Sequence, residues 1–137
     1  MSRLSLRARL VLGVLALATD DKAIRQAALA EGEELLAGGA VSHNHFLFRR
    51  HAIEACLRGG AWDDAERHAA ALEGYASREP SPWTKFVVDR GRALAARGRQ
   101  GREETPRADL ARLRDEGERL GHLGALPAID AVIAGAA

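Results

Sequence analysis

Four side chains able to ligate a metal or handle protons crowd into one short stretch: His43, Asn44, His45 and His51. Zinc would need three or four of them converging on a tetrahedron. On a helix His43 and His45 point roughly 200° apart, whereas a shared ion needs ligands three or four residues apart. His51 shares the face of His43 but lies two turns away. The stretch therefore reads as the polar start of a helix, with Asn44 and His45 packing or hydrogen-bonding to the preceding hairpin, and no metal or cofactor is expected. The consecutive letters His43-Asn44-His45 form a tripeptide, not the dispersed nuclease motif spelled the same way.

A second group is cationic. Arg90, Arg92, Arg97, Arg99, Arg102 and Arg107 make a local excess of positive charge, opposed by Asp89, Glu103 and Glu104. A phosphate-contacting patch has this composition, and so has a helix C-terminus stabilised by cations and followed by a solvated loop. No aromatic residue is interleaved to stack on bases, which favours the second reading. Cys56 sits mid-helix on a face expected to be apolar, with nothing near it in sequence to activate a thiolate, so it reads as a buried structural thiol. The phosphate-binding pattern G-x-x-x-x-G-K-[ST], the nucleophile elbow G-x-S-x-G and the zinc-protease pattern H-E-x-x-H do not occur, and no carboxylate pair stands apart from ordinary helix-surface charge. No enzyme is expected. Trp62 and Trp83 could anchor a peptide; at helix starts such residues more often lock one hairpin onto the next.

The elements that must carry these residues are helices. At 137 residues there is room for one modest domain of about three helical hairpins. Apolar residues make up 47%, but much of that is Ala and only six residues are aromatic, so the interior should be thin and built from small side chains at close interaxial distance. Ala, Leu, Arg and Glu all favour helix. The formal charge of +1 gives no global attraction to nucleic acid or anionic lipid, and a single cysteine cannot form an internal disulfide.

The first helix is predicted from about Ser2 to Ala18, with Leu6, Leu10, Val14 and Leu17 on one stripe. Arg3, Arg7 and Arg9 followed by the apolar run to Ala16-Leu17-Ala18 also outline a secretory signal. The helix reading is preferred because the next helix begins at once and would otherwise lack a partner, which places the protein in the cytoplasm; the alternative is secretion, with residues 1–18 removed. The Thr19-Asp20-Asp21 cluster ends the first helix and caps a second, about Asp21 to Ala37, with Ile24, Ala28 and Leu35 inward and a glycine cap at Gly38-Gly39 as its stop. A third helix spans about His43 to Arg58 with Ser42 as N-cap and Phe46, Ile53 and Leu57 aligned. The fourth, from Trp62, has the clearest period: Trp62, Ala65, Ala69, Leu72 and Ala76. Ser81 and Pro82 start a fifth, with Trp83, Val87, Gly91 and Leu94 inward. It should end at Arg97, and Gly98 to Glu104 should form a loop. Thr105-Pro106 starts a sixth helix to about Leu120, with Leu110, Leu113, Gly117 and Leu120 as its seam. A short helix over 127–134 carries Ile129, Val132 and Ile133 and closes the open end.

These helices predict an all-α fold: about three antiparallel hairpins (2–37, 43–78 and 82–120) stacked as a short right-handed solenoid, plus the closing helix. Ala23 and Ala65 are 42 residues apart, and Gly60 and Gly98, each read as ending a first helix, are 38 apart. An irregular period near 40 exceeds the ~34 of a standard tetratricopeptide repeat. Within the third and fourth helices, Ala55, Leu57, Gly60, Trp62, Ala65, Ala69 and Leu72 stand at or near tetratricopeptide signature positions, and this segment resembles one such repeat. Over most of the chain, Leu17-Ala18-Thr19-Asp20-Asp21, Ser42-His43-Asn44-His45, Ala52-Ile53-Glu54-Ala55, Ala71-Leu72-Glu73-Gly74-Tyr75 and Pro80-Ser81-Pro82-Trp83 occur in this order. Together they are similar to the C-terminal helical tail of bacterial proteins in which a class III adenylate/guanylate cyclase domain and an AAA-type ATPase module precede tetratricopeptide-like repeats. The resemblance implies a scaffold or regulatory segment. No catalytic residue carries over, since the catalytic motifs of that family lie in modules that this chain lacks.

The expected function is a non-catalytic interaction module of a cyclase/ATPase-like signalling system. It would bind a protein segment on the face formed by the first, third and fifth helices, through His43, His45, Phe46, Arg49, Arg50, Lys85 and Arg90. The alternative is a small regulator that binds nucleotide or nucleic acid through the basic patch from Arg90 to Arg107. Three hairpins lie near the lower limit for a solenoid, so self-association or marginal stability is expected as well.

Overall fold

The computed structural model describes residues 3–38, 42–100 and 107–135, with side chains described over 11–38, 45–99 and 108–135. Every regular element among them is helical: α1 (Arg3–Ala18), α2 (Lys22–Ala37), α3 (Ser42–Arg58), α4 (Trp62–Ala76), α5 (Pro82–Gln100), α6 (Arg107–Arg119), a 3-10 turn (Leu123–Ala125) and α7 (Leu126–Ile133). The all-α expectation therefore holds. α1 packs on α2 and α3, α3 on α4, α5 mainly on α4 and also on α3, and α6 on α7.

The helix ends follow local chemistry. Asp21 caps α2 by accepting the Ile24 N–H at 3.0 Å, and Ser81 Oγ accepts the Thr84 N–H at 3.2 Å at the start of α5. After α3 the chain turns through Gly60 at φ 71°, with Ala61 N–H donating to Cys56 O and Gly60 N–H to Leu57 O at 2.9 and 3.3 Å. This is the Schellman closure, and its left-handed residue is why a glycine stands there. Gly121, at φ 73°, closes α6 in the same way.

Two buried clusters share α3. One joins Ala16 of α1, Ala28, Leu29 and Leu36 of α2, and Phe48, Ala52, Ala55 and Cys56 of α3. The other joins Ile53 with Leu72, Phe86, Val88, Leu110, Ile129 and Val132. Burial pushes the Cys56 thiol up to about 11, so the expected inert thiol is what the structure holds.

Several expected stripes are displaced. Val14 and Ile24 are exposed, and the buried positions are Gly13 and Ala16 on α1 and Ala28, Leu29, Gly32 and Leu36 on α2. Close approach explains this: a Cβ on Gly13 would come 3.2 Å from the Cβ of His51, and one on Gly32 would overlap the Phe48 ring. Glycines therefore occupy the points of closest approach, with Leu29 and Leu36 buried beside them. Trp83, also expected inward, is exposed. Gly38 is the C-cap of α2 at φ −72°, its N–H donating to the Glu34 carbonyl at 3.2 Å, and the left-handed position of the expected glycine cap would be Gly39. Gly98 does not end α5: the helix continues to Gln100 because Gly98 lies beneath the Trp62 indole, where an added Cβ would sit 2.5 Å from Cε2. The spacing of 38 between Gly60 and Gly98 is thus not a repeat of helix ends. Thr105, Pro106 and Gly39 lie outside the described residues.

Candidate binding trough between α3, α5 and α7

Arg90 organises the face where α3, α5 and the C-terminal segment meet. It is buried in α5; its Nε donates to the Ala125 carbonyl oxygen at 3.0 Å, and its Nη1 donates to the Glu54 carboxylate of α3. Those bonds tie the 3-10 turn, from which α7 starts, to α5 and α5 to α3. The result is an open trough of about 600 Å³ with an apolar floor and walls of Leu57, Trp62, Leu94, Pro127, Ala128 and Val132, and with Arg58, Arg90 and Arg97 along it.

At its inner end the trough runs into a polar cleft of about 210 Å³ lined by Leu17 of α1, Arg50, His51, Glu54 and Arg58 of α3, Arg90 of α5 and His122 before the 3-10 turn. Glu54, Arg58, Arg90 and Gly124 belong to both. His122 is fixed by its ring neighbours, 4.8 Å from Trp83 and 5.5 Å from Phe86 between centroids. Burial, with the charges of Arg50 and Arg90, lowers its pKa against the opposing pull of Glu54. Burial and Arg50 lower that of His51 likewise. Both imidazoles are therefore neutral at pH 7.

A separate aromatic groove of about 690 Å³ lies between the α3 start, the α4 end and the α5 start, with Phe46, Leu72, Tyr75 and Trp83 on its walls. His45 stacks on Tyr75 at 3.9 Å beside it.

The residues singled out in the sequence are thus dispersed. Arg50 and Arg90 meet at the cleft. Arg49 turns away from it: its Nη1 donates to Glu33 Oε1 at 2.8 Å and lies 2.7 Å from His68 Nδ1, while Arg67 donates to the same Glu33 oxygen at 2.6 Å. Because a guanidinium only donates, Nδ1 of His68 accepts and the ring proton sits on Nε2, which is buried without a partner among the described residues. Burial, then Arg49 and Arg67, push this His68 pKa down to about 4. Glu33 is desolvated, yet the hydrogen bonds from Arg67 and Arg49 prevail and lower its pKa. Lys85 pairs with Asp89 on the exposed side of α5. In the basic patch, Arg92 donates to Glu66 and Glu73 at 2.9 and 2.7 Å, Arg99 pairs with Asp63 at 2.6 Å, and Arg97 borders the trough. Arg102 and the side chains of His43 and Arg107 lie outside the described residues. No group of three or more potential metal ligands comes together among the described residues, and no helix there is long and apolar enough to cross a membrane.

Sequence reasoning did not single out Glu54, Arg58, His122, Pro127 or Ala128. Arg58 has the spacing i+8 from Arg50 and so shares its helix face, a signal present in the sequence. His122 and Pro127 join the site only through the reversal of the chain at Gly121.

Compared with known proteins, the chain matches no family model, no curated protein and no solved structure.

Proposed function

We propose that this protein is a non-catalytic helical-repeat scaffold, its helices stacked as a short tetratricopeptide-like solenoid. Its trough between α3, α5 and α7 binds a short segment of a partner protein, one with apolar side chains and acidic flanks. The observation that carries this reading is the trough itself: an apolar channel of about 600 Å³ bordered by Arg58 and Arg97, with the Arg90 anchor tying its sides together. Apolar area in such a channel supplies affinity, and bordering cations select acidic partners and suppress basic ones. The pairing of α1 with α2, α3 with α4 and α1 with α3 supports the solenoid arrangement. The likeness to cyclase-associated helical tails supports a place in a cyclase- or ATPase-containing signalling system.

A fluorescent peptide of alternating leucine and glutamate residues tests the reading. Ala128 is exposed on the trough wall, so Ala128→Trp fills the channel without touching the core. Binding that falls about tenfold or more in this variant, with an unchanged melting curve, is the expected result. Equal binding by the variant, or none by the native protein, overturns it. The polyanion alternative draws less support, since Arg92 and Arg99 are already matched by carboxylates. Absence of binding to single-stranded polynucleotide at low salt removes it.

A further inference from the structure

We propose that the polar cleft at the inner end of the trough is a subsite for a phosphate monoester carried by the docked segment, held by Arg50 and Arg58 and hydrogen-bonded by His122. The inference rests on the docking reading above, and its first support is a charge balance. Five charged or titratable side chains line the cleft besides His122, and Glu54 is committed to Arg90. Arg50 and Arg58 have no carboxylate within 4 Å among the described residues. Two guanidiniums without a carboxylate partner among the described residues match a dianion, and a phosphate offers three acceptor oxygens to their forked donors. A single carboxylate would satisfy one of them.

The second support is His122. It is 7% exposed, its ring is clamped by Trp83 and Phe86, and its imidazole makes no hydrogen bond among the described residues, although it lines the cleft. A neutral imidazole held this way is a preset donor to an oxyanion. Size and continuity are the third: about 210 Å³ takes a phosphate together with the side-chain atoms that attach it, and the cleft shares Glu54, Arg58, Arg90 and Gly124 with the trough. An occupant of the trough therefore reaches the cleft without leaving the surface.

The test uses the whole chain and two leucine–glutamate peptides differing only in serine or phosphoserine at the centre, with inorganic phosphate and adenosine monophosphate as further ligands. The phosphorylated peptide should bind about tenfold or more tightly than the other, and Arg50→Gln should bring that ratio to about one. Inorganic phosphate should raise the His122 pKa, followed by its imidazole proton resonances, because a bound dianion opposes the neighbouring guanidiniums. Equal affinity for the two peptides overturns the subsite and leaves the docking reading standing. If neither peptide binds, the docking reading fails and the His122 titration decides the subsite: a rise supports it, no change overturns it. Tighter binding of the nucleotide than of the phosphopeptide overturns the peptide as the source of the phosphate. Arg112→Gln, on the outer face of α6, serves as the control for net charge.

Discussion

His68 makes the sharpest statement at the level of single residues. Its imidazole is fully buried, accepts from Arg49 and is pushed down to about 4, with burial the leading cause and Arg49 and Arg67 next. In the unfolded chain it returns to the ordinary 6.5. Between these values the unfolded state binds the proton and the folded state does not, so folding stability is full above pH 6.5 and declines as the pH falls toward 4. From pH 7 to pH 5 the loss due to His68 should be about 2 kcal/mol, measured by urea unfolding at each pH. His51 and His122 are shifted in the same direction, so His68→Gln should flatten the profile without abolishing it. A native profile that is flat over this range would contradict the buried neutral ring. One sequence signal alone sets His68 apart from a surface histidine. Its position three residues after Ala65 and four before Leu72, on the face with the clearest period of the chain, is the one signal that places it inside.

Among the elements, glycine substitutions separate close approach from mere flexibility. Gly32 of α2 lies against the Phe48 ring, and Gly74 of α4 has nothing within 4 Å of an added Cβ. Gly32→Ala should destabilise by about 1–3 kcal/mol through forced displacement of Phe48. Gly74→Ala should stabilise by about 0.4–1 kcal/mol, because alanine gains helix propensity and meets no neighbour. Thermal or urea midpoints check both, and equal effects of the two changes would refute the packing account. Helix existence was legible element by element, from caps such as Asp21 and Ser81 and from the Gly60 turn. Which face points inward was legible for α4 and α6, where apolar and small residues recur at steps of three and four. For α1 and α2 it was not: alanine and glycine carry no clear sidedness, and the closest approaches fall on Gly13 and Gly32.

For the molecule as a whole, the two buried clusters sharing α3 predict graded consequences of core damage. Ile129 is fully buried in the cluster that attaches α7, the wall of the trough, and Phe48 is fully buried in the one that attaches α2. Ile129→Ala should cost about 2–5 kcal/mol, and hydrogen exchange should speed in α7 before α2. Peptide affinity should fall with it. Phe48→Ala should cost about 3–5 kcal/mol with the opposite order of exchange. Uniform acceleration in both variants would show one inseparable unit.

The sequence by itself determined the all-α class, the span of nearly every helix to within a few residues, the Gly60 joint and the inert burial of Cys56, because propensity, capping and periodicity act over one or two turns of chain. Tertiary structure alone decided that α5 continues through Gly98 beneath Trp62, that Arg49 serves a buried histidine, and that Arg90 bridges Glu54 to the carbonyl of Ala125. Those contacts join residues from 19 to 36 positions apart, and their energies depend on desolvation and on the meeting of helices. The trough is of that kind: α3 and α5 supply its sides, and only the anchored reversal after α6 brings α7 across to make it a site.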